Sequence, residues 1–313
     1  MSRYFYNVPA GTPAFKVDLI GGGATPGAGQ IRFLRFHPYG VGIDTNASTS
    51  CYTPSVASCA GSPTSRTTTN PQAGVWEVTV EARRTSDAAS APFTLTASIL
   101  GASVSPNPDT IASATIGVPI ARSYTLTNNL GTFTGRAVGT TLGSASLARR
   151  SIANLAVQDY PVVVTAGSTS LRATIGGTSD PAADLDLFVY SCPTPTTCSL
   201  VGQSAGGSSE ESVTIPNPAP GNWLIRVDAY AVPAGTTDYD YIDVFVNAAF
   251  GSVSVTDSDA VRASDTSWTA PGSVTANAAP ASGRVLYGNV QVRTNGNVLV
   301  GSGDVIIQSV ITP

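Results

Sequence analysis

The stretch NPAPGNWLIRVDA, residues 217–229, decides the fold class of this sequence. Its proline and glycine residues favour a turn, and the residues from the tryptophan onward alternate between apolar and polar side chains. Trp223, Ile225 and Val227 share one face of the predicted strand, because successive side chains on a strand point to opposite faces. We expect the tryptophan to anchor a hydrophobic core, and the alternative is an exposed platform on which a ligand stacks.

The same motif occurs a second time as NPQAGVWEVTVEA, residues 70–82. Other strand-like segments surround both motifs in the same order, at an offset that drifts between roughly 140 and 155 residues, as changes in loop length would produce. The matching segments are FKVDLIGG (15–22), IRFLRFHPYG (31–40) and PFTLTASILG (92–101), against SLRATIGG (170–177), DLDLFVYSCP (184–193) and YIDVFVNAAFG (241–251). We interpret the chain as two diverged copies of one β-sandwich module.

The composition supports an all-β fold. A hydrophobic content of 42% argues against disorder, and charged residues at 12% are too few for the polar faces of several helices. The 31 glycines and 22 prolines indicate many turns. We therefore predict tandem antiparallel β-sandwich domains of the jelly-roll or fibronectin-like type.

The chain length of 313 residues allows two or three domains. We predict one sandwich at residues 1–102, the first copy, and another at residues 158–251, the second copy. The flanking segments 103–157 and 252–313 are each short for an independent sandwich. Our preferred arrangement is one fibronectin-like domain made from both flanks, with the second copy inserted between them. Two small tandem units are the open alternative.

The four cysteines allow three pairings. Because each copy carries one pair at a corresponding place, we favour two local bridges, Cys51 with Cys59 and Cys192 with Cys198. Neither spacing is a CxxC metal or redox motif. Disulfides indicate an oxidising destination, so the sequence predicts a secreted protein.

Charge and hydropathy exclude two classes of partner. With a net charge of −4 and a pI near 4.9, the chain has no basic field to attract nucleic acid or an anionic membrane. No apolar run approaches the length of a membrane span. The first 15 residues lack the apolar core of a signal peptide, and we expect the chain to be one segment of a larger secreted protein. The sequence defines no oligomeric state.

The order of two motifs resembles a known family. The strand D-L-D-L-x-V-Y at residues 184–190 precedes G-N-W-x-I-x-V at residues 221–227. This order resembles the pre-peptidase C-terminal (PPC) domain of secreted bacterial peptidases, most clearly over residues 160–250 and more weakly over residues 10–102.

The flanks carry a second resemblance. SYTLTN (residues 123–128) and GRVLYGNVQV (residues 283–292) are similar to the fibronectin-like region that follows the catalytic domain of subtilisin-like serine proteases. Together the resemblances imply a C-terminal, non-catalytic region of an extracellular subtilase. Such regions are associated with secretion, stability, calcium binding and substrate positioning, and their partners are the parent catalytic domain and polymeric protein substrates.

The catalytic residues of a subtilase do not carry over. A Ser-His-Asp triad needs an imidazole as its base, and the single histidine, His37, lies in FHPYG without the family's His-Gly-Thr context. Ser179 lies in a Gly-Thr-Ser segment, but Asp180-Pro181 follows it, which favours a turn over a nucleophile. No phosphate-binding glycine loop occurs. We predict that this chain has no catalytic residue and is not an enzyme.

Aspartates concentrate in the second copy. Asp184 and Asp186 alternate on a predicted strand and therefore project about 7 Å apart from one face, and Asp238 and Asp240 lie on a neighbouring loop or strand. These four are predicted ligands of Ca²⁺, which prefers carboxylate oxygens. In the first copy, neither possible register places a carboxylate at the matching positions. Those positions are Gln30 and Arg32, or Ile31 and Phe33.

The alternative interpretation is that these four aspartates are solvated turn and edge residues that discourage aggregation. Both interpretations stay open at the sequence level. Glu210, Glu211, Asp257 and Asp259 are predicted to be solvated loop charges.

Two functions compete. The first is an accessory region of a secreted subtilase, and the alternative is a free-standing carbohydrate- or surface-binding β-sandwich protein. Sugar binding needs a planar ring in solvent beside polar groups. The candidate rings are Tyr190, Tyr230, Tyr239 and Tyr241.

Overall fold

The computed structural model describes residues 1–21, 27–44, 64–194 and 197–312. Most of them lie in β-strands, and the pairings are antiparallel apart from two short parallel ones. A 3₁₀ turn at Ala248–Phe250 is the one helical element within these ranges. No helix in the described part of the chain is long and apolar enough to cross a membrane. The predicted all-β class is confirmed.

The first copy is a sandwich of two three-stranded sheets, ordered β1-β5-β3 and β4-β2-β6. Its strands are β1 (Ser2–Val8), β2 (Ala14–Gly21), β3 (Ile31–Phe36), β4 (Ser65–Thr69), β5 (Gly74–Ala82) and β6 (Phe93–Leu100). The inward side chains Phe15, Val17, Trp76 and Val78 belong to a core of this copy, whereas Ala14 and Leu100 pack into the core of the rest of the molecule.

The first flank supplies six strands. They are β7 (Ala102–Ser105), β8 (Asp109–Ile111), β9 (Ala114–Thr115), β10 (Ile120–Asn128), β11 (Phe133–Gly139) and β12 (Gly143–Ala153).

The second copy repeats the sandwich, with the sheet β13-β18-β15-β16 facing the strands β17-β14-β19. Its strands are β13 (Val157–Val164), β14 (Ser170–Gly176), β15 (Asp184–Thr194), β16 (Thr197–Ser204), β17 (Glu211–Pro216), β18 (Gly221–Ala231) and β19 (Thr236–Val246).

The second flank completes the chain. Its strands are β20 (Gly251–Val255), β21 (Ala260–Arg262), β22 (Thr266–Ala276), β23 (Val285–Thr294), β24 (Leu299–Ile307) and β25 (Val310–Ile311).

The two copies match in strand order and register. Val8 lies opposite Gly74 in the first copy, and Val164 lies opposite Gly221 in the second. In the partner sheets, the last residue of β6 lies opposite the first of β2, as the last of β19 lies opposite the first of β14. The repeat seen in the sequence is therefore one topology built twice.

The tryptophan turns also match atom by atom. The Nε1–H group of Trp76 donates to the Gln72 carbonyl at 2.7 Å, and that of Trp223 donates to the Ala219 carbonyl at 2.9 Å. Trp76 is 0% exposed and Trp223 is 4% exposed. Each tryptophan anchors a core, as predicted, and the alternative of a stacking platform is wrong.

The two flanks pair with each other and with the second copy. Strand β10 of the first flank runs antiparallel to β22 of the second, over their full common length. A longer sheet has the order β17-β14-β19-β12-β23-β11-β21, so β12 joins the second copy on one edge to the second flank on the other. The division of the chain into three domains stays a prediction.

The disulfide between Cys192 and Cys198 is present and closes the hairpin of β15 and β16. The predicted bridge between Cys51 and Cys59 lies outside the described residues.

Candidate functional site

The solvent-facing side of the sheet β13-β18-β15-β16 carries three of the candidate residues, Asp184, Asp186 and Tyr190, and we call it the outer face. Inward side chains such as Leu185, Leu187, Ile225 and Val227 are fully buried, so the residues that alternate with them point outward. The outer face consists of Asp159, Pro161, Val163, Asp184, Asp186, Phe188, Tyr190, Leu200, Leu224, Arg226 and Asp228.

Two aspartates face each other at one end of the outer face. Asp186 lies directly opposite Asp228 across β15 and β18. The equivalent positions in the first copy hold Arg32 and Glu81, which form an ion pair. Of the two alignments that the sequence left open, the structure shows the one in which Gln30 and Arg32 match Asp184 and Asp186. Where the first copy places opposite charges, the second copy places like charges, which repel each other across the strands.

The carboxylates at this end of the outer face are incompletely paired within the described residues, although Arg226 lies near enough to interact with the charge of Asp228. Asp184 Oδ1 and Asp228 Oδ1 are buried without a hydrogen-bond partner among the described residues. Burial raises the pKa of Asp186 above its usual value, and the negative charges of Asp184, Glu211 and Asp228 raise it further. A proton or a bound cation would relieve this repulsion.

Asp238 and Asp240 lie on the opposite side of the sandwich. On β19 they alternate with Tyr239 and Tyr241, which are buried in the core, so both carboxylates point to solvent from the other sheet. Asp240 accepts a hydrogen bond from Arg149 Nη1 at 3.0 Å. The structure therefore does not bring these two carboxylates together with the other predicted calcium ligands, Asp184 and Asp186. Within the described ranges, no group of three histidine, cysteine, aspartate or glutamate residues is placed to hold a metal ion.

Two of the four predicted loop charges are not solvated. Glu211 is 6% exposed and accepts hydrogen bonds from the Gly206 amide at 2.8 Å and from the Ser204 hydroxyl. Asp257 accepts from the Ala137 amide at 2.8 Å and forms an ion pair with Arg262. Burial opposes ionisation of Asp257, but its hydrogen bonds and the guanidinium hold its pKa below the usual value. Glu210 and Asp259 are exposed, as predicted.

Two of the four candidate tyrosine rings are core residues. Tyr239 and Tyr241 are 0% and 1% exposed. The hydroxyl of Tyr239 lies 2.6 Å from that of Tyr160, whose ring stacks on Tyr241 at 3.9 Å between centroids. Tyr230 is largely exposed, and Tyr190 is half-buried on the outer face. Only the last two rings are available to a ligand.

Tyr190 lies in an apolar region at the other end of the outer face. Leu224 and Leu200 flank it on the two neighbouring strands, and Leu200 is exposed. Arg226 places its guanidinium 5.8 Å from the Tyr190 ring centroid and binds both carboxylate oxygens of Asp159, at 2.8 and 2.9 Å. The hydrogen bonds from Arg226 lower the pKa of Asp159. The result is a ring beside an ion pair and aliphatic side chains.

The two residues considered for catalysis, His37 and Ser179, each contact residues that shape the fold. The His37 ring packs on Trp76 at 4.9 Å between centroids, in the first copy. The Ser179 hydroxyl, in the second copy, accepts a hydrogen bond from the Asp238 amide at 2.9 Å and lies 3.3 Å from the Thr237 hydroxyl. Ser179 thus fixes a turn beside β19, as the sequence predicts.

Residues 156–229 match the family model described as "Bacterial pre-peptidase C-terminal domain". The match runs from the start of β13 into β18 and includes most of the outer face. The second copy therefore contains a PPC-like domain, which is a non-catalytic type of domain. No curated protein matches the sequence.

Solved structures give only distant similarity. Tripeptidyl peptidase 2 is 10% identical, with 98% of this chain and 28% of that chain covered and a TM-score of 0.40. PliG of Aeromonas hydrophila, a periplasmic inhibitor of g-type lysozyme, is 16% identical over 44% of this chain and 98% of its own, with a TM-score of 0.26. The mitogen derived from Yersinia pseudotuberculosis is 10% identical over 33% and 86%, with a TM-score of 0.27. Similarity at this level carries no functional argument.

Proposed function

We propose that this chain is a non-catalytic accessory region of a secreted, subtilisin-like serine protease, which stabilises the enzyme and positions polymeric protein substrate. The match of residues 156–229 to the PPC model is the observation that carries the proposal. The disulfide between Cys192 and Cys198 supports an extracellular location. In this proposal the two flanks form the fibronectin-like part of the region.

We assign substrate positioning to the apolar end of the outer face. A half-buried ring flanked by leucines gives an extended polypeptide an apolar surface, and the ion pair of Arg226 with Asp159 adds polar contacts beside it. Aromatic residues and arginine often dominate the free energy of binding at such surfaces.

The test uses the parent protein, whose reading frame should encode an Asp-His-Ser catalytic domain. In that enzyme, Tyr190→Ala should slow hydrolysis of a polymeric protein such as casein by severalfold and leave hydrolysis of a short chromogenic peptide unchanged. Tyr39→Ala, at an exposed tyrosine of the first copy, is the matched control. A parent frame without a protease domain, or cleavage of peptides by this chain alone, would refute the proposal.

We also propose that the acidic end of the outer face takes up Ca²⁺ at Asp184 and Asp186, with Asp228 added and without Asp238 and Asp240. The facing like charges and the two unpartnered buried oxygens support a cation there. Because no three carboxylates of the described residues already form a ligand set, water must complete the coordination sphere, and binding should be weak.

Calcium at millimolar concentration should raise the melting temperature of the chain. The double variant Asp184→Asn with Asp186→Asn should lose this increase, and Asp238→Asn with Asp240→Asn should keep it. Equal responses of the two double variants, or no response of the unaltered protein, would remove calcium from the proposal.

The alternative function, a free-standing carbohydrate- or surface-binding protein, is favoured by one observation. Tyr190 lies on the outer face beside the guanidinium of Arg226, and Tyr230 is largely exposed; sugar stacking requires a ring that solvent can reach beside polar groups. Retention of the isolated chain on an insoluble polysaccharide, lost in Tyr190→Ala, would favour this alternative over the protease region.

A further inference from the structure

We propose that the outer edge of β6, in the first copy, is a binding site for one extended strand of a partner polypeptide. The strand would add to the sheet β4-β2-β6, antiparallel to β6, and would turn small, uncharged side chains into a groove between β1 and β6. This inference is independent of the proposed function. Comparison of the two copies carries it.

In the second copy the equivalent edge is covered. Strand β12 pairs with β19 over all 11 residues, from Gly143 opposite Val246 to Ala153 opposite Thr236. The inward side chains of β19 are then sealed from solvent, and among them Phe245 is 2% exposed. The second copy therefore shows what a complete edge of this module looks like.

In the first copy, β6 ends its sheet, and no strand among the described residues pairs with its outer edge. The register makes Phe93, Leu95 and Ile99 equivalent to Tyr239, Tyr241 and Phe245. All three residues of the first copy are only partly buried, whereas their equivalents are fully buried. The side chains at this edge have the exposure expected of a sandwich that lacks one strand.

Part of the backbone of β6 is also open at this edge, and the contacts at the end of the strand show which groups point outward. The Ile99 carbonyl accepts a hydrogen bond from the Gly131 amide at 3.0 Å, and the Gly101 carbonyl accepts one from the Asn129 amide at 3.2 Å. Since alternate residues of a strand direct their backbone groups to the same edge, Leu95 and Ala97 also point outward. Their N–H and C=O groups have no hydrogen-bond partner among the described residues. They are free to pair with an added strand.

A groove of about 300 Å³ lies beside these backbone groups. Its lining is uncharged and mostly apolar: Phe5, Tyr6, Asn7, Phe15, Ala97, Ser98 and Ile99. In the second copy the register places the small side chains of Ser144, Ser146 and Ala148 beside the inward residues of β19, and Asp243 there also pairs with Arg284. In the first copy Ala97 stands at the position of Asp243, so this carboxylate is absent. A strand that binds here therefore needs uncharged side chains at alternate positions, because a charge would lose its hydration in the groove.

A second copy of this chain fits the edge less well than a partner strand does. If two β6 strands paired with each other, the inward side chains of each would already be packed in their own core. Both grooves would then face each other without side chains to fill them. A single inserted strand fills the groove and satisfies the backbone, as β12 does.

The chain itself provides a probe. Val8 is equivalent to Val164, so Met1 corresponds to Val157. A copy of residues 145–156, which form most of β12 and the turn after it, can therefore be added ahead of Met1. There it would lie along β6 as β12 lies along β19. This extension stops short of the positions that Asn129 and Gly131 occupy. In the extended full-length chain, hydrogen exchange at the amides of Leu95 and Ala97 should slow by about tenfold or more.

Two controls make the result specific. The same extension with proline at the positions copied from Ser146 and Ala148 lacks the donors that face β6, and should leave exchange fast. In the extended chain, Ala97→Lys places a charge in the groove and should restore fast exchange at Leu95, whereas Thr94→Lys, on the exposed side of β6, should not.

Three outcomes would overturn the proposal. The first is exchange at Leu95 and Ala97 that stays fast in the extended chain. The second is exchange that is already as slow in the original chain as at Tyr241 and Asp243, which would show a covered edge. A dimer of the original chain that Ala97→Lys dissociates in sedimentation velocity would assign the edge to a second copy.

Discussion

At the scale of single residues, the facing pair Asp186 and Asp228 is the clearest departure from the first copy. Asp186→Asn should stabilise the calcium-free protein at pH 7 by about 0.2–1 kcal/mol, because it removes one of two like charges directly opposite each other. Asp238→Asn, at an exposed aspartate, should change little. Urea unfolding at fixed pH measures both, and equal effects of the two substitutions would contradict the argument.

The raised pKa of Asp186 sets the sign of its pH dependence. Between pH 3.8, the ordinary value, and the higher pKa of the folded state, Asp186 holds a proton more often in the folded protein than in the unfolded chain. This residue therefore contributes stability at low pH that is lost as the pH rises through its folded-state pKa. The gain from Asp186→Asn should vanish near pH 3 and be complete at pH 7. A gain that is independent of pH would show that repulsion is not the cause.

The tryptophan turns give a second test at the residue scale. Trp223→Phe keeps an aromatic ring in the core but removes the Nε1–H donor to Ala219, so it should cost about 1–3 kcal/mol of stability. Trp76→Phe should cost a similar amount, because its hydrogen bond to Gln72 is the same. Chemical denaturation followed by far-UV circular dichroism measures both losses, and a cost confined to one copy would contradict the equivalence of the turns.

At the scale of elements, the bridge between Cys192 and Cys198 joins two strands that already form a hairpin. Replacing both cysteines by serine should cost about 2 kcal/mol, since the closed loop is short. Thermal unfolding measures this, and a loss that abolishes folding would contradict it.

Peptide mapping without reduction should find this bridge and the one predicted between Cys51 and Cys59. A bridge between the copies would show the second prediction to be wrong.

The sequence predicts where strands lie better than it predicts which strands pair in a sheet. Alternation around Trp76 and Trp223 gave β5 and β18 and their buried faces, because a period of two depends only on the strand itself. It could not place Asp238 on the side of the sandwich opposite Asp186, since that depends on which sheet each strand joins. Burial of Glu211 was missed for the same reason: the Gly206 amide that it accepts from lies in a loop whose path the sequence does not define.

The role of β12 shows the same limit. Its sequence, GSASLARRSIA, has no clear alternation, and only the structure reveals that it seals one edge of the second copy and reaches β23 on its other side. Strand pairing between segments far apart in the chain is set by the packing of the whole sheet. Such pairing leaves little trace in local sequence.

At the scale of the whole molecule, the hydrophobic cores predict two cooperative units. The second copy and both flanks share one continuous core and the long sheet through β12. The first copy has a core of its own, apart from Ala14 and Leu100, which pack into the larger core. Arg284, in the second flank, forms an ion pair with the buried Asp243 of the second copy and donates a hydrogen bond to the Ser144 carbonyl at 2.9 Å. These contacts tie the second copy to its flanks.

Scanning calorimetry should therefore resolve two transitions, and Arg284→Ala should affect one of them. Leaving Asp243 buried without its partner should cost about 3–5 kcal/mol, which lowers the midpoint of the larger transition by on the order of 10 °C. Arg284→Lys keeps the charge and should cost less, and Trp76→Phe should move only the smaller transition. A single transition, or one in which Arg284→Ala shifts both midpoints equally, would mean that the first copy unfolds together with the rest. Three transitions would instead favour three separate domains, with the second copy unfolding apart from the flanks despite the sheet that they share.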